Sequence, residues 1–118
     1  MAISTVGIMK DNIGLYNIHN YIKKNIDTNA TIETQNNNSH YIKFNHKEES
    51  RIMHLFMNSH DYKFDTKYDG LVNVVTLGYY GYSCEIIEKL VKHFGGWYME
   101  NDCECKVEFY ESNLIKEI

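Results

Sequence analysis

Cys103 and Cys105 stand one residue apart in the stretch HFGGWYMENDCECKVEFY (93–110), beside the only tryptophan of the chain, Trp97, and a cluster of acids. Thiolates are zinc ligands, and a structural zinc site needs about four donors. Cys84, His60 or His93 would have to complete the set from other parts of the chain. Read as a strand, the segment puts Cys103, Cys105, Val107 and Phe109 on one face and Glu104, Lys106, Glu108 and Tyr110 on the other. Cysteines in line with valine and phenylalanine read as small buried hydrophobes, so no metal site is expected. Cys84 stands at a predicted helix start, where a thiol pKa is lowered. A nucleophile also needs a base, and His19, His40, His46, His54, His60 and His93 show no diagnostic spacing. Cys84 reads as a structural thiol, and neither a catalytic residue nor a cofactor is expected.

Two other constellations bear on binding. GYYGYS (78–83) lies between a predicted strand and a helix N-terminus, which is where anions bind. It offers Tyr79, Tyr80 and Tyr82, which could stack on a base, together with Ser83. It matches neither the P-loop nor the dinucleotide fingerprint, and no nearby Lys supplies the usual phosphate contact. A tight, aromatic-packed turn is the leading reading there and an anionic-ligand or nucleotide site the alternative. The acids Glu100, Asp102, Glu104, Glu108 and Glu111 have Lys106 as the only base among them. Charge on an edge strand blocks unwanted pairing. The functional reading is a negative, aromatic-rimmed partner surface made with Tyr98 and Tyr110, since tyrosine is a typical interface anchor.

The elements that must position these residues follow from periodicity. Ile3 to Met9 reads as a first strand. Asp11 or Asn12 caps a helix running to about Asn25, with Leu15, Ile18, Ile22 and Ile26 as its apolar stripe. TIETQ (31–35) and HYIKFN (40–45) flank NNNS and read as a hairpin with His40, Ile42 and Phe44 on one face. Asn45 and Glu48 resemble a capping box, which predicts a helix to about Met57 with Ile52, Leu55 and Phe56 inward and Arg51 and His54 outward. A hairpin over 61–80 turns at Asp69-Gly70. Ser83 is the expected N-cap of a helix with Ile86, Ile87, Leu90, Val91 and Phe94 on one face, closed by Gly95-Gly96. A final hairpin runs from Trp97 through Glu100-Asn101-Asp102 to Tyr110, and Leu114, Ile115 and Ile118 form a last apolar patch. The expected fold is α+β: one domain, 1–118, with a mostly antiparallel sheet of about five to six strands and two to three helices on one face.

Length and composition agree with one soluble globular domain of 118 residues, 43% hydrophobic and 24% charged. No apolar run reaches the roughly 18–20 residues that span a membrane, and the N-terminus lacks the pattern of a signal peptide. Three cysteines favour a reduced, cytoplasmic setting. There is no proline and one arginine, Arg51, against 13 Asn, 13 Ile and 11 Lys, the residue usage of an AT-rich genome. Net charge is −4, divided as +1 over residues 1–60 and −5 over 61–118. Scarce arginine disfavours direct nucleic-acid binding; a basic protein partner suits the charge better.

The segment GYSCEIIEKLVKHFGGWYMENDC, through Phe94, Gly95, Gly96, Trp97, Asn101, Asp102 and Cys103, resembles a segment of small phage and mobile-element proteins. That resemblance covers about a fifth of the chain and implies a compact phage or prophage accessory protein. Such proteins often inhibit host defence, anti-CRISPR proteins among them. The expected function is therefore non-enzymatic inhibition of a basic host protein in the host cytoplasm, with a homodimer left open.

Overall fold

The structure, a computed structural model, describes residues 4–59, 70–78, 80–99 and 108–112. The elements in chain order are β1 (Ser4–Lys10), α1 (Leu15–Asn25), β2 (Thr31–Asn36), β3 (Ser39–His46), β4 (Glu49–Ser59), β5 (Val72–Gly78), α2 (Ser83–Phe94), β6 (Gly96–Met99) and β7 (Glu108–Tyr110). The strands form one sheet in the order β2-β3-β4-β5-β1-β6-β7, and every pairing is antiparallel. β1 therefore lies inside the sheet, between β5 and β6. The α+β class and the antiparallel sheet agree with the sequence reading. Among the described residues the sheet has seven strands rather than five or six, with two helices.

The extra strand is β4, where the sequence reading put a helix. Residues 51–57, RIMHLFM, satisfy two periods at once: Ile52, Leu55 and Phe56 fit a helix, while Met53, Leu55 and Met57 fit a strand. The ladders with β3 and β5 decide for the strand. Met53 and Leu55 are 0% exposed, whereas Ile52 is 52% exposed. Asn45 and Glu48 form no capping box. Lys47 and Glu48 instead turn the chain, both at positive φ (53° and 65°), as a two-residue hairpin loop requires. The first strand of the expected 61–80 hairpin and the Leu114–Ile118 patch lie outside the described residues, and β5 pairs with β4 and β1.

Both helices cover one face. Ile18 and Ile22 of α1 and Ile86, Ile87, Leu90 and Val91 of α2 share one cluster with Met9, Ile42, Phe44, Met53, Leu55, Val75 and Leu77. Burying such side chains contributes roughly 1.5–3 kcal/mol each. α2 approaches β1 closely because Gly7 has no side chain: a Cβ there would lie 2.9 Å from methyls of both Val75 and Val91. The opposite face carries a smaller cluster of Val6, Ile8, Val72, Val74, Trp97 and Met99. Buried Asn73 is satisfied on both ends of its amide. Its Oδ1 accepts the Asn58 N–H at the β4 irregularity (2.9 Å), and its Nδ2 donates to the Ile13 carbonyl (2.5 Å).

α1 starts at Leu15, later than Asp11 or Asn12, with Gly14 as N-cap. The Gly14 N–H donates to Asn17 Oδ1 at 2.9 Å. The α2 stripe and the Gly95-Gly96 stop are as expected, and the Gly95 N–H donates to the Val91 carbonyl (2.7 Å).

Candidate functional site

Ser83 is not the N-cap of α2; Tyr82 is, and it makes no side-chain capping bond. The Ser83 hydroxyl is spent on the loop before it. It accepts from the Tyr80 N–H (3.1 Å) and from Thr5 Oγ1 (3.1 Å) and donates to the Tyr80 carbonyl (3.0 Å). At 0% exposure it cannot contact a ligand, which corrects its place in the expected ligand set. Its role is to clamp Tyr80 against the end of β1. Thr5 Oγ1 also lies 3.7 Å from Cys84 Sγ, so the half-buried thiol packs beside a hydroxyl.

Strand parity delivers the partners of that loop. Along β3 and β4, His46, Glu49 and Arg51 fall on the helix side with Phe44 and Met53, the pairs being Phe44 with Arg51 and His46 with Glu49. The Arg51 guanidinium lies 3.6 Å from the centre of the Tyr80 ring, a cation–π contact. It pairs with Glu49 at 2.7 Å. Its Nε is the one buried side-chain polar atom among the described residues without a hydrogen-bond partner. His46 Nδ1 and the Tyr80 hydroxyl are 3.2 Å apart. The Lys47 ammonium lies 5.0 Å from the Tyr82 ring centre, and the His46 and Tyr82 rings meet edge to face at 5.2 Å. The missing lysine of the loop is thus present, carried in by the β3–β4 turn.

Beside this cluster lies a pocket of about 400 Å³ between the two helices and the turn. Ile26 and Ile86 supply apolar wall, and Tyr21 and Asn25 of α1 face it. His46, Lys47, Glu85 and Lys89 supply the polar side. Lys89 donates to Glu85 Oε1 at 2.8 Å, which lowers the Glu85 pKa and raises that of Lys89. Burial, with the charge of Lys47 behind it, holds His46 below the usual histidine range. Burial also lowers His54, whose Nε2 is 2.9 Å from Ser39 Oγ. The cations nearest the pocket are therefore the two lysines and not His46 near neutral pH.

The two depressed histidines set a pH dependence. Each takes a proton more readily in the unfolded chain than in the fold, so the unfolded state binds more protons as pH falls below about 6.5. Stability is complete above that pH and declines as pH falls through the folded values. Urea midpoints at pH 7.5 and 5.5 check this: the midpoint drops on acidification, and the drop shrinks in a His46→Gln, His54→Gln variant.

The expected partner surface comes apart. Tyr98 is 6% exposed and packs in the main core, so it anchors no interface. Tyr110 also faces the helix side. Its ring lies 6.4 Å from Tyr98 and 5.1 Å from the Lys92 ammonium. Its hydroxyl donates to Glu108 Oε2 at 2.8 Å, and that bond leads in pushing its pKa up to about 12. Glu108 and Glu111 are exposed. Phe109, expected inward, is 57% exposed and lies 5.4 Å from Trp97 on the opposite face. The reason is that β7, the last strand of the sheet among the described residues, has its helix-side position filled by Tyr110. Glu100, Asp102, Glu104, Cys103, Cys105 and Tyr79 lie outside the described residues.

The structure brings Tyr80 and Tyr82 of the expected ligand set together with His46, Lys47 and Arg51, while Tyr21 and Lys89 join His46 and Lys47 around the adjoining pocket; the expected ligand set held none of these partners. Reading 51–57 as a strand would have placed Arg51 with His46, because residues paired in a hairpin share a face. Among the described residues no group of three or more His, Cys, Asp or Glu could hold a metal ion, and no helix is long and apolar enough to cross a membrane. No family model, no curated protein and no solved structure matches the chain.

Proposed function

We propose that this chain is a non-enzymatic binding protein whose ligand presents an anionic group to the pocket between α1, α2 and the β3–β4 turn. The observation that carries this reading is the convergence of Lys47 and Lys89 on one opening of a chain with net charge −4. Arg51 stands behind them through Tyr80 and His46. A pocket of about 400 Å³ is within the usual range for small ligands, about 300–1,000 Å³. Calorimetric titration with ribose 5-phosphate at low ionic strength tests it. Binding is expected, at least tenfold weaker in a Lys47→Ala, Lys89→Ala variant and weaker in added salt. Absence of binding by the wild-type protein would end this reading.

The turn itself supports a binding role. Lys47 and Glu48 hold φ of 53° and 65°, where Asn-Gly is the ordinary choice, and strained residues of this kind cost about 1–3 kcal/mol each. A Lys47→Asn, Glu48→Gly variant is expected to be more stable by about 1 kcal/mol or more while binding the phosphate more weakly. Thermal melts and the same titration read the two effects separately.

A second reading keeps the host-directed role: a phage or prophage accessory protein that inhibits a basic host protein, in the manner of anti-CRISPR proteins. Exposed Glu108 and Glu111 at the β7 edge support it, together with the −5 charge of residues 61–118. It requires salt-sensitive association with a purified basic partner. Unchanged association after Glu108→Lys with Glu111→Lys would count against the acidic surface.

A further inference from the structure

We infer that the ligand of this pocket is a nucleoside monophosphate. The inference rests on the anionic-ligand reading and goes further, to the rest of the molecule that bears the phosphate. A phosphate alone would engage the lysine side of a pocket of about 400 Å³ and leave the other walls unused. Those walls carry the chemistry of a base and a ribose.

Two helix faces meet across the opening, each presenting an i, i+4 pair. From α1 come Tyr21 and Asn25. The Tyr21 ring lies 4.9 Å from that of His93, tilted at 41°, and meets Phe94 edge-on at 5.9 Å. An aromatic ring held by such contacts at a pocket wall is a stacking platform for a base. Ile26 and Ile86 extend the same apolar surface. Asn25 Nδ2 is committed to the Tyr21 carbonyl at 2.9 Å. That fixes the amide with Oδ1 as the acceptor for an exocyclic amine or ring N–H.

From α2 come Glu85 and Lys89. A carboxylate in a pocket for a simple anion is a liability, because it repels the ligand. Here Glu85 gives one oxygen to Lys89 (2.8 Å). A carboxylate has acceptor capacity for two vicinal hydroxyls as well, and acidic side chains take ribose hydroxyls in this way in dinucleotide sites. Glu85 suits the first turn of α2 and pairs with Lys89 at i, i+4, and in this pocket its carboxylate can also accept from ribose hydroxyls, which inorganic phosphate lacks. Lys47, on the turn opposite, is the phosphate contact, with the His46 ring beside it. The arrangement binds and offers no group placed for transfer, so no bond is made or broken.

The test is calorimetric titration of the full chain with AMP, GMP, CMP, UMP, ribose 5-phosphate and inorganic phosphate, on wild type and Glu85→Ala. Glu85 is exposed in the first turn of α2, so the variant keeps its fold, which circular dichroism checks. At least one nucleotide is expected to bind tenfold or more tighter than ribose 5-phosphate. In Glu85→Ala that nucleotide weakens at least threefold, while inorganic phosphate tightens because a negative charge has gone. Equal affinity for ribose 5-phosphate and all four nucleotides overturns the nucleotide assignment and leaves the anion pocket standing. Parallel tightening of nucleotide and phosphate in Glu85→Ala does the same. If no phosphate compound binds, both readings fall.

Discussion

Gly96→Ala is expected to lower the unfolding free energy by about 3 kcal/mol or more, combining backbone strain of roughly 1–3 kcal/mol with overpacking of similar size. Gly96 has φ of 145°, a conformation side chains rarely adopt, and a Cβ there would run into the Ile8 carbonyl. Neither partner can give way cheaply. Ile8 pairs with Val74 of β5 and Trp97 of β6, so its carbonyl belongs to an interior strand. The preceding Gly95, at φ 83°, already ends α2, and a Cβ on it would come within 2.9 Å of the Ser112 N. In a domain of this size the loss corresponds to a melting temperature lower by more than about 10 °C. Gly78→Ala and Gly81→Ala are the controls, because a Cβ at either site meets nothing within 4 Å. They should be neutral, or stabilising by up to about 1 kcal/mol through the unfolded chain. Equilibrium urea unfolding reads all three. A Gly96→Ala protein within about 1 kcal/mol of wild type would mean that β6 does not lie against β1 as described.

The second large effect separates the two periodicities of RIMHLFM. Met53→Ala should cost about 2–5 kcal/mol, as truncation of a buried side chain does. Ile52→Ala should stay within about 0.5 kcal/mol, as an exposed position does. Met53 is 0% exposed within the main core and Ile52 is 52% exposed on the opposite face. A helix over 46–57 with Ile52 inward would reverse the order of the two costs. Urea unfolding of the pair, with Leu55→Ala as the variant that is destabilised under either reading, distinguishes them without a structure.

These cases show what was legible. α1, α2, the β2–β3 hairpin and the glycine stop at 95–96 were readable, because each depends on residues within a turn or two. A 3.6-residue stripe such as Ile86, Ile87, Leu90 and Val91, or the alternation of His40, Ile42 and Phe44, carries its own geometry. β4 was not readable, because its apolar residues fit both periods and a strand gains its hydrogen bonds from elsewhere. Its ladders are formed with β3 and β5, the second across a sequence gap that local pattern does not bridge. The same error hid the pocket. With 46–57 read as a helix, Arg51 pointed to solvent and the GYYGYS loop had no cation near it.

The acids show the converse. Their alternation in ECKVEFY was plain, and so was the parity that puts Phe109 and Tyr110 on opposite faces. Which face is covered depends on where α2 lies, and Tyr98 and Tyr110 proved to be on the helix side.

Local residue order therefore settled the class of the fold, the helices with their apolar faces, and the end of α2, since short-range sterics and periodicity act within a few residues. Tertiary structure alone settled the order of the seven described strands, the interior position of β1, the gathering of His46, Lys47 and Arg51 around Tyr80 and Tyr82, and the meeting of His46 and Lys47 with Tyr21 and Lys89 at the pocket. Those neighbours are decided by strand pairing between distant segments and by the close seat that Gly7 gives α2 on β1. The free energy of pairing and burial lies between elements, where no single stretch of sequence displays it.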